Sequence, residues 1–177
     1  MSCAKYDTRN VGERHVTLKF VGQELIYDIN NCAYVEGHLI PEGNENQRHV
    51  VIDIGQDGNI DRVNRILGVV HAATVEMLYP FTKAPIAEGS EVDDHIWPTD
   101  GYVIDLAVPS TMSQTTINLL SKLIHEYMVC MVLADWLSIS KPEAAENWRL
   151  KATTIRDEIN RLKSHRRGRL RRKQSMF

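Results

Sequence analysis

Cysteine is scarce in this chain of 177 residues: Cys3, Cys32 and Cys130 are odd in number, widely scattered and free of any C-x-x-C pair. That argues against a disulfide framework and against a cysteine zinc site. Long apolar runs are missing too. The longest, residues 127–134, falls far below the roughly 20 residues that a bilayer crossing needs, so no membrane partner is expected. No N-terminal stretch joins basic residues to an apolar segment and a small-residue cleavage site, so no secretory leader is expected. The suited compartment is a reducing cytoplasm, or a particle assembled in one.

Catalytic signatures are absent as well. The sequence contains no G-x-x-x-x-G-K-[ST], G-x-G-x-x-G, H-E-x-x-H or G-x-S-x-G, the patterns that build phosphate cradles, zinc centres and nucleophile elbows. Asp57, Asn59 and Asp61 have the one-three-five spacing of a calcium loop, but Arg62 stands where that loop needs glycine and Gly68 where it needs glutamate. Asp93-Asp94-His95 has metal-ligand chemistry, and a metal-dependent hydrolase is the enzyme-class alternative; a solvated acidic loop is the reading preferred. His125 and Glu126 are neighbours on a helix, so they point about 100° apart and make a poor acid–base pair. His71 reads as a partly buried structural residue. No enzyme, cofactor or metal is expected.

What is present is a strong separation of charge. Residues 161–177 hold eight basic side chains and no acidic one, while residues 1–160 hold the other 13 basic and all 23 acidic side chains, a net of −10. An acidic body with a basic arm is suited to meeting a negative surface, either nucleic acid or the acidic body of a neighbouring copy. The size fits one domain with a substantial core. The expected organisation is a single α+β domain over 1–162 followed by a basic C-terminal arm over 163–177.

Three segments in the first third read as strands. Residues 15–21 alternate Val16, Leu18 and Phe20 against Thr17 and Lys19. Residues 25–29 and 32–40 carry β-prone residues on either side of the turn-prone Asn30-Asn31. Residues 49–54 form a short run ending at Gly55. These predict a small N-terminal antiparallel sheet. A helix capped by Asn59 is expected over 59–79, with Ile60, Val63, Ile66, Leu67, Val70, Thr74 and Met77 at helical steps. Residues 81–101 form a long acidic connection that includes Asp93, Asp94 and Trp97; connections of this length are often functional. Residues 102–108 read as one more strand.

The last third predicts an antiparallel hairpin of two long helices over 112–138 and 141–162. Thr111 and Gln114 fit a capping box for the first, and Ser140 and Glu143 fit one for the second, with Pro142 in its first turn. The segment 127–134 is apolar on every face of its helix and so must be covered all round, by its own chain or by another subunit. Trp136 and Trp148 are expected inside the hairpin. Helix-dipole effects account for basic residues only in the last turn, which leaves residues 169–173 without a structural reason.

The order Tyr102-Val103-Ile104-Asp105-Leu106-Ala107-Val108-Pro109, Ile124-His125-Glu126-Tyr127-Met128-Val129, Leu133-Ala134-Asp135-Trp136-Leu137, Lys141-Pro142-Glu143-Ala144-Ala145, Trp148 and the basic end Arg166-Arg167 with Arg169 to Lys173 resembles small structural proteins of the crAss-like tailed phages of Bacteroides-type gut bacteria. Those proteins lie below the portal as head-to-tail connector, or ring, components. The resemblance covers about residues 100–177; the N-terminal strands depart from the nearly all-helical connectors of other tailed phages. It implies a virion structural protein at the head–tail junction that forms a homo-oligomeric, dodecameric ring. Its expected partners are the portal protein, other tail and ring proteins, and DNA passing non-specifically through the channel. On this reading Arg166, Arg167, Arg169, Arg171, Arg172 and Lys173 are docking residues, with Phe177 as an apolar anchor and Asp93, Asp94 and Trp97 on the opposing loop. The alternative is a nucleic-acid-binding protein using the basic tail. The lack of aromatic residues among its charges before Phe177 argues against base stacking, and the acidic body would repel a polyanion.

Overall fold

The computed structural model describes residues 12–84, 89 and 101–164. Strand β1 (Glu13–Val21) runs directly into helix α1 (Gly22–His38). Helix α2 (Glu45–Ile52) and a 3-10 turn (Asp53–Gly55) lead to α3 (Asp57–Met77). Strand β2 (Gly101–Pro109), α4 (Gln114–Ser140) and α5 (Pro142–Ser164) complete the order. The described chain is mostly helical with one two-stranded antiparallel sheet, an α+β arrangement.

The sheet pairs β1 with β2 along their whole length, Glu13 opposite Pro109 and Val21 opposite Gly101. Period-two alternation decides its faces. Leu18 and Phe20 of β1 and Tyr102, Ile104, Leu106 and Val108 of β2 are buried, while Thr17 Oγ1 donates to Asp105 Oδ1 across the opposite face at 2.6 Å. The far edge of β2 is closed rather than free. The Ala107 amide donates to the Phe81 carbonyl at 2.8 Å, and His71 Nε2 donates to the Val103 carbonyl at 3.0 Å. Gly101 is required by close approach, because a Cβ there would lie 2.8 Å from the Phe20 carbonyl oxygen.

The predicted small N-terminal sheet is corrected here. Residues 25–29 and 32–38 are helical, 39–40 lie just past the helix, and 49–54 are helical too; the second strand comes instead from beyond residue 100. The cause is periodicity overriding propensity. Gly22, Leu25, Ile29, Ala33 and Gly37 are the buried residues of α1, spaced three or four apart, the step that gathers them into one buried stripe of a helix. Asn30-Asn31 lies within α1 rather than in a turn.

Three helix predictions are met within two residues at each end, but their caps differ. Gln56 precedes α3, and Asn59 lies inside it, donating from Nδ2 to the Asp53 carbonyl at 2.8 Å. Ser113, not Thr111, caps α4, its hydroxyl accepting from the Thr116 amide at 3.3 Å. Ser140 is the last residue of α4 and does not cap α5. Lys141 alone separates these two helices, which pack as the expected hairpin.

Helix α4 is the centre of the fold. By length and composition it could cross a membrane, yet its chain covers it: α1, α2, α3 and α5 all pack on it. Met128, Cys130, Val132 and Leu133 are completely buried. The all-round apolar segment therefore finds its cover within the chain. Trp136 points away from the hairpin seam, and its Nε1 donates to the Val51 carbonyl at 3.2 Å.

Candidate functional site

The residues predicted to make contacts lie outside the described residues: Arg166, Arg167, Arg169, Arg171, Arg172, Lys173 and Phe177 on the arm, and Asp93, Asp94 and Trp97 on the loop. The root of the arm is described. Helix α5 ends at Ser164, and Lys163 Nζ donates to the carbonyl of Met77, the last residue of α3, at 2.5 Å. The basic segment thus starts beside the C-terminal end of α3. Arg161 is spent locally, on Glu158 at 3.1 Å.

At the opposite end of α3 lies an open aromatic groove. Tyr27 and Tyr34 of α1 form one wall, and Ile52, Asp53 and Gln56 form the other, around a depression of about 460 Å³. Asn30 forms part of its floor against Gly55, where an added Cβ would fall 2.3 Å from the amide nitrogen. Tyr27 is 70% exposed and Tyr34 52%, so the rings present apolar faces to solvent. Tyr34 also leans on His38, with ring centroids 4.0 Å apart. A second depression continues past Tyr27 to Glu24 and Asp28. Asp28 accepts from His125 Nε2 at 2.8 Å; the Asp53 carboxylate accepts from the neutral side-chain amide of Gln56 at 2.7 Å. No lysine or arginine lines either depression among the described residues. The surface is aromatic and anionic, the combination that receives guanidinium groups through carboxylate pairing and ring stacking. The sequence reading missed it because residues 25–40 were assigned to strands; the seven-residue spacing of Tyr27 and Tyr34 was the available signal.

A second polar cluster has a structural role. Glu36, near the end of α1, accepts from Lys141 Nζ at 2.7 Å and from Trp148 Nε1 at 3.1 Å. This ties α1 to the corner of the hairpin. Lys151 Nζ lies 3.2 Å from Glu126 and 4.9 Å from the centroid of Trp148.

The thiols fit packing rather than chemistry. Burial raises Cys32, and it pushes Cys130 up to about 11. A nucleophilic cysteine needs its thiolate, and at pH 8 only about one Cys130 in a thousand carries the charge, given that pKa. Cys130 is therefore expected to resist a charged disulfide reagent in the native protein at pH 8 and to react promptly once guanidinium unfolds the chain. Native labelling at the unfolded rate would contradict the burial described.

No family model, curated protein or solved structure matches this chain.

Proposed function

We propose that this protein is a virion structural protein, a ring-forming connector subunit that joins a portal to a tail and lets DNA pass through its channel. The observation that carries the reading is the division of charge: a net of −10 over residues 1–160 against eight basic and no acidic side chains over 161–177. Two features of the fold support it. A subunit in a ring needs a stiff body, and here an antiparallel hairpin of 27 and 23 residues is clamped by three other helices. It also needs a donor and a receiver on different parts of its surface. Identical subunits that repeat such a contact close into a ring where the rotation permits. The cationic arm is the donor in this reading, and arginine is suited to it because its planar fork pairs bidentately with carboxylates. The net −10 of residues 1–160 disfavours a polyanion as the arm's main partner.

Imaging of the native particle tests the proposal. The chain is expected as a ring at the head–tail junction, with the arm's arginines against carboxylates of a neighbouring protein. Removal of residues 165–177 is expected to abolish incorporation while leaving the cooperative thermal unfolding of the remaining chain in place. A full-length monomer that binds one DNA sequence tightly at physiological salt would overturn the connector reading in favour of nucleic-acid recognition.

A further inference from the structure

We infer that the groove between Tyr27 and Tyr34 receives the basic C-terminal segment of a second copy of this chain. This rests on the assembly reading above and names the contact through which it would operate. Three observations lead to it.

The first is chemical. The groove and its continuation carry Glu24, Asp28 and Asp53 with two exposed tyrosines, and no lysine or arginine lines them among the described residues. Asp28 is bonded to His125, and Glu24 also borders a depression with Lys19 and Lys122, which leaves Asp53 as the carboxylate farthest from a cation. The segment 166–173 carries Arg166, Arg167, Arg169, Arg171, Arg172 and Lys173 with no carboxylate. Arginine over a tyrosine face with a carboxylate within reach uses both attractions at once.

The second is spacing. Tyr27 and Tyr34 are seven residues apart on one helix, about 10.5 Å along its axis at 1.5 Å per residue, and on nearly the same face. Arg169 and Arg172 are three residues apart, one turn and about 9 Å in a polyproline II geometry, which would put both on one side. One arginine of that pair can sit over each ring, with Arg166 one further step along.

The third favours another copy's arm over the chain's own. The groove is walled by Gln56, immediately before α3, whereas the arm is rooted at Met77, the last residue of α3. Those ends are about 30 Å apart at 1.5 Å per residue. Arg169 lies five residues past Ser164, at most about 18 Å of extended chain. Even with its side chain Arg169 falls short of the Gln56 wall of its own subunit, which favours the arm of a second copy for the pair. Donor and receiver at opposite ends of one helix make that contact heterologous, of the kind that propagates head to tail.

The test mixes two full-length variants by native mass spectrometry and sedimentation at low and high salt. One lacks the receiver, Tyr27→Ala with Tyr34→Ala; both side chains are more than half exposed, so its thermal melt serves as a folding control. The other reverses the donor, Arg169→Glu with Arg172→Glu. Each alone is expected to self-associate about tenfold or more weakly than the natural protein. Mixed, they are expected to form a one-to-one complex that stops there and that dissociates at high salt. A mixture that stays monomeric overturns the inference, as does a natural protein that never associates. If the receiver variant associates normally while the donor variant does not, the arm docks elsewhere: the groove assignment falls and the assembly reading stands. If both variants associate normally, the arm has no part in assembly and both fall.

Discussion

Leu133→Ala is expected to lower the free energy of unfolding by about 3–5 kcal/mol, read as a lower urea midpoint with an unchanged slope. Leu133 has no exposed surface, and neither has Val132 beside it. Adjacent helix residues point about 100° apart, so full burial of both means that α4 is covered on more than one side. A cavity opened there is walled by several elements that cannot all move inward, which places the loss toward the upper part of the Leu→Ala range. Ile139, near the end of the same helix, is 76% exposed. Ile139→Ala is expected to change stability by no more than about 0.5 kcal/mol. The pair also separates two explanations of the apolar run 127–134. With its cover inside the chain, the effect of Leu133→Ala is independent of protein concentration. If a subunit interface covered it, the loss would vary with concentration, because stability and association would be linked.

That distinction marks what could be read in advance. The requirement that residues 127–134 be covered all round was legible from composition, but the identity of the cover was not. It depends on α1 and α2, whose β-branched and aromatic residues had suggested strands. Ile26, Tyr27, Tyr34 and Val35 carry high strand propensity, yet Leu25, Ile29, Ala33 and Gly37 carry the helical period that α4 rewards with burial. The long hairpin was legible because its two stripes are strongly periodic and Pro142 marks the start of its second helix. Strand β2 was legible from its alternation, but its partner 80 to 96 residues earlier was not, since a two-stranded ladder leaves no local trace of what it pairs with. The aromatic groove was hidden for the same reason as α1: the tyrosines share a face only once the segment is helical. The predicted arm residues lie outside the described residues, of which only the arm's root, at Lys163, is a part.

Glu36→Ala is expected to destabilise the protein by about 2–3 kcal/mol, with the local loss concentrated where α1 meets the hairpin corner. The Glu36 side chain is only 18% exposed and that of Lys141 25%, so solvent replaces neither fully when one is removed. Substitution by alanine takes the carboxylate from two donors together: the indole N–H of Trp148 loses its partner, and the ammonium of Lys141 keeps the Glu36 carbonyl at 3.3 Å. Their desolvation, more than the lost attraction, sets the magnitude. Because Lys141 is the sole residue between α4 and α5, its side chain fixes the turn that aligns the hairpin while reaching across to α1. Glu36→Gln keeps an amide oxygen for one donor and removes the charge, so it is expected to lose about half as much. Lys141→Met removes the cation and leaves the indole bond. In a double-mutant cycle with Glu36→Ala its effect is expected to be non-additive by about 1 kcal/mol or more. Additive losses would mean that Glu36 acts through Trp148 alone. Hydrogen exchange supplies the local measurement: the amides of the last turn of α1 and the first turn of α5 are expected to lose protection together in Glu36→Ala, while those of β1 and β2 keep theirs.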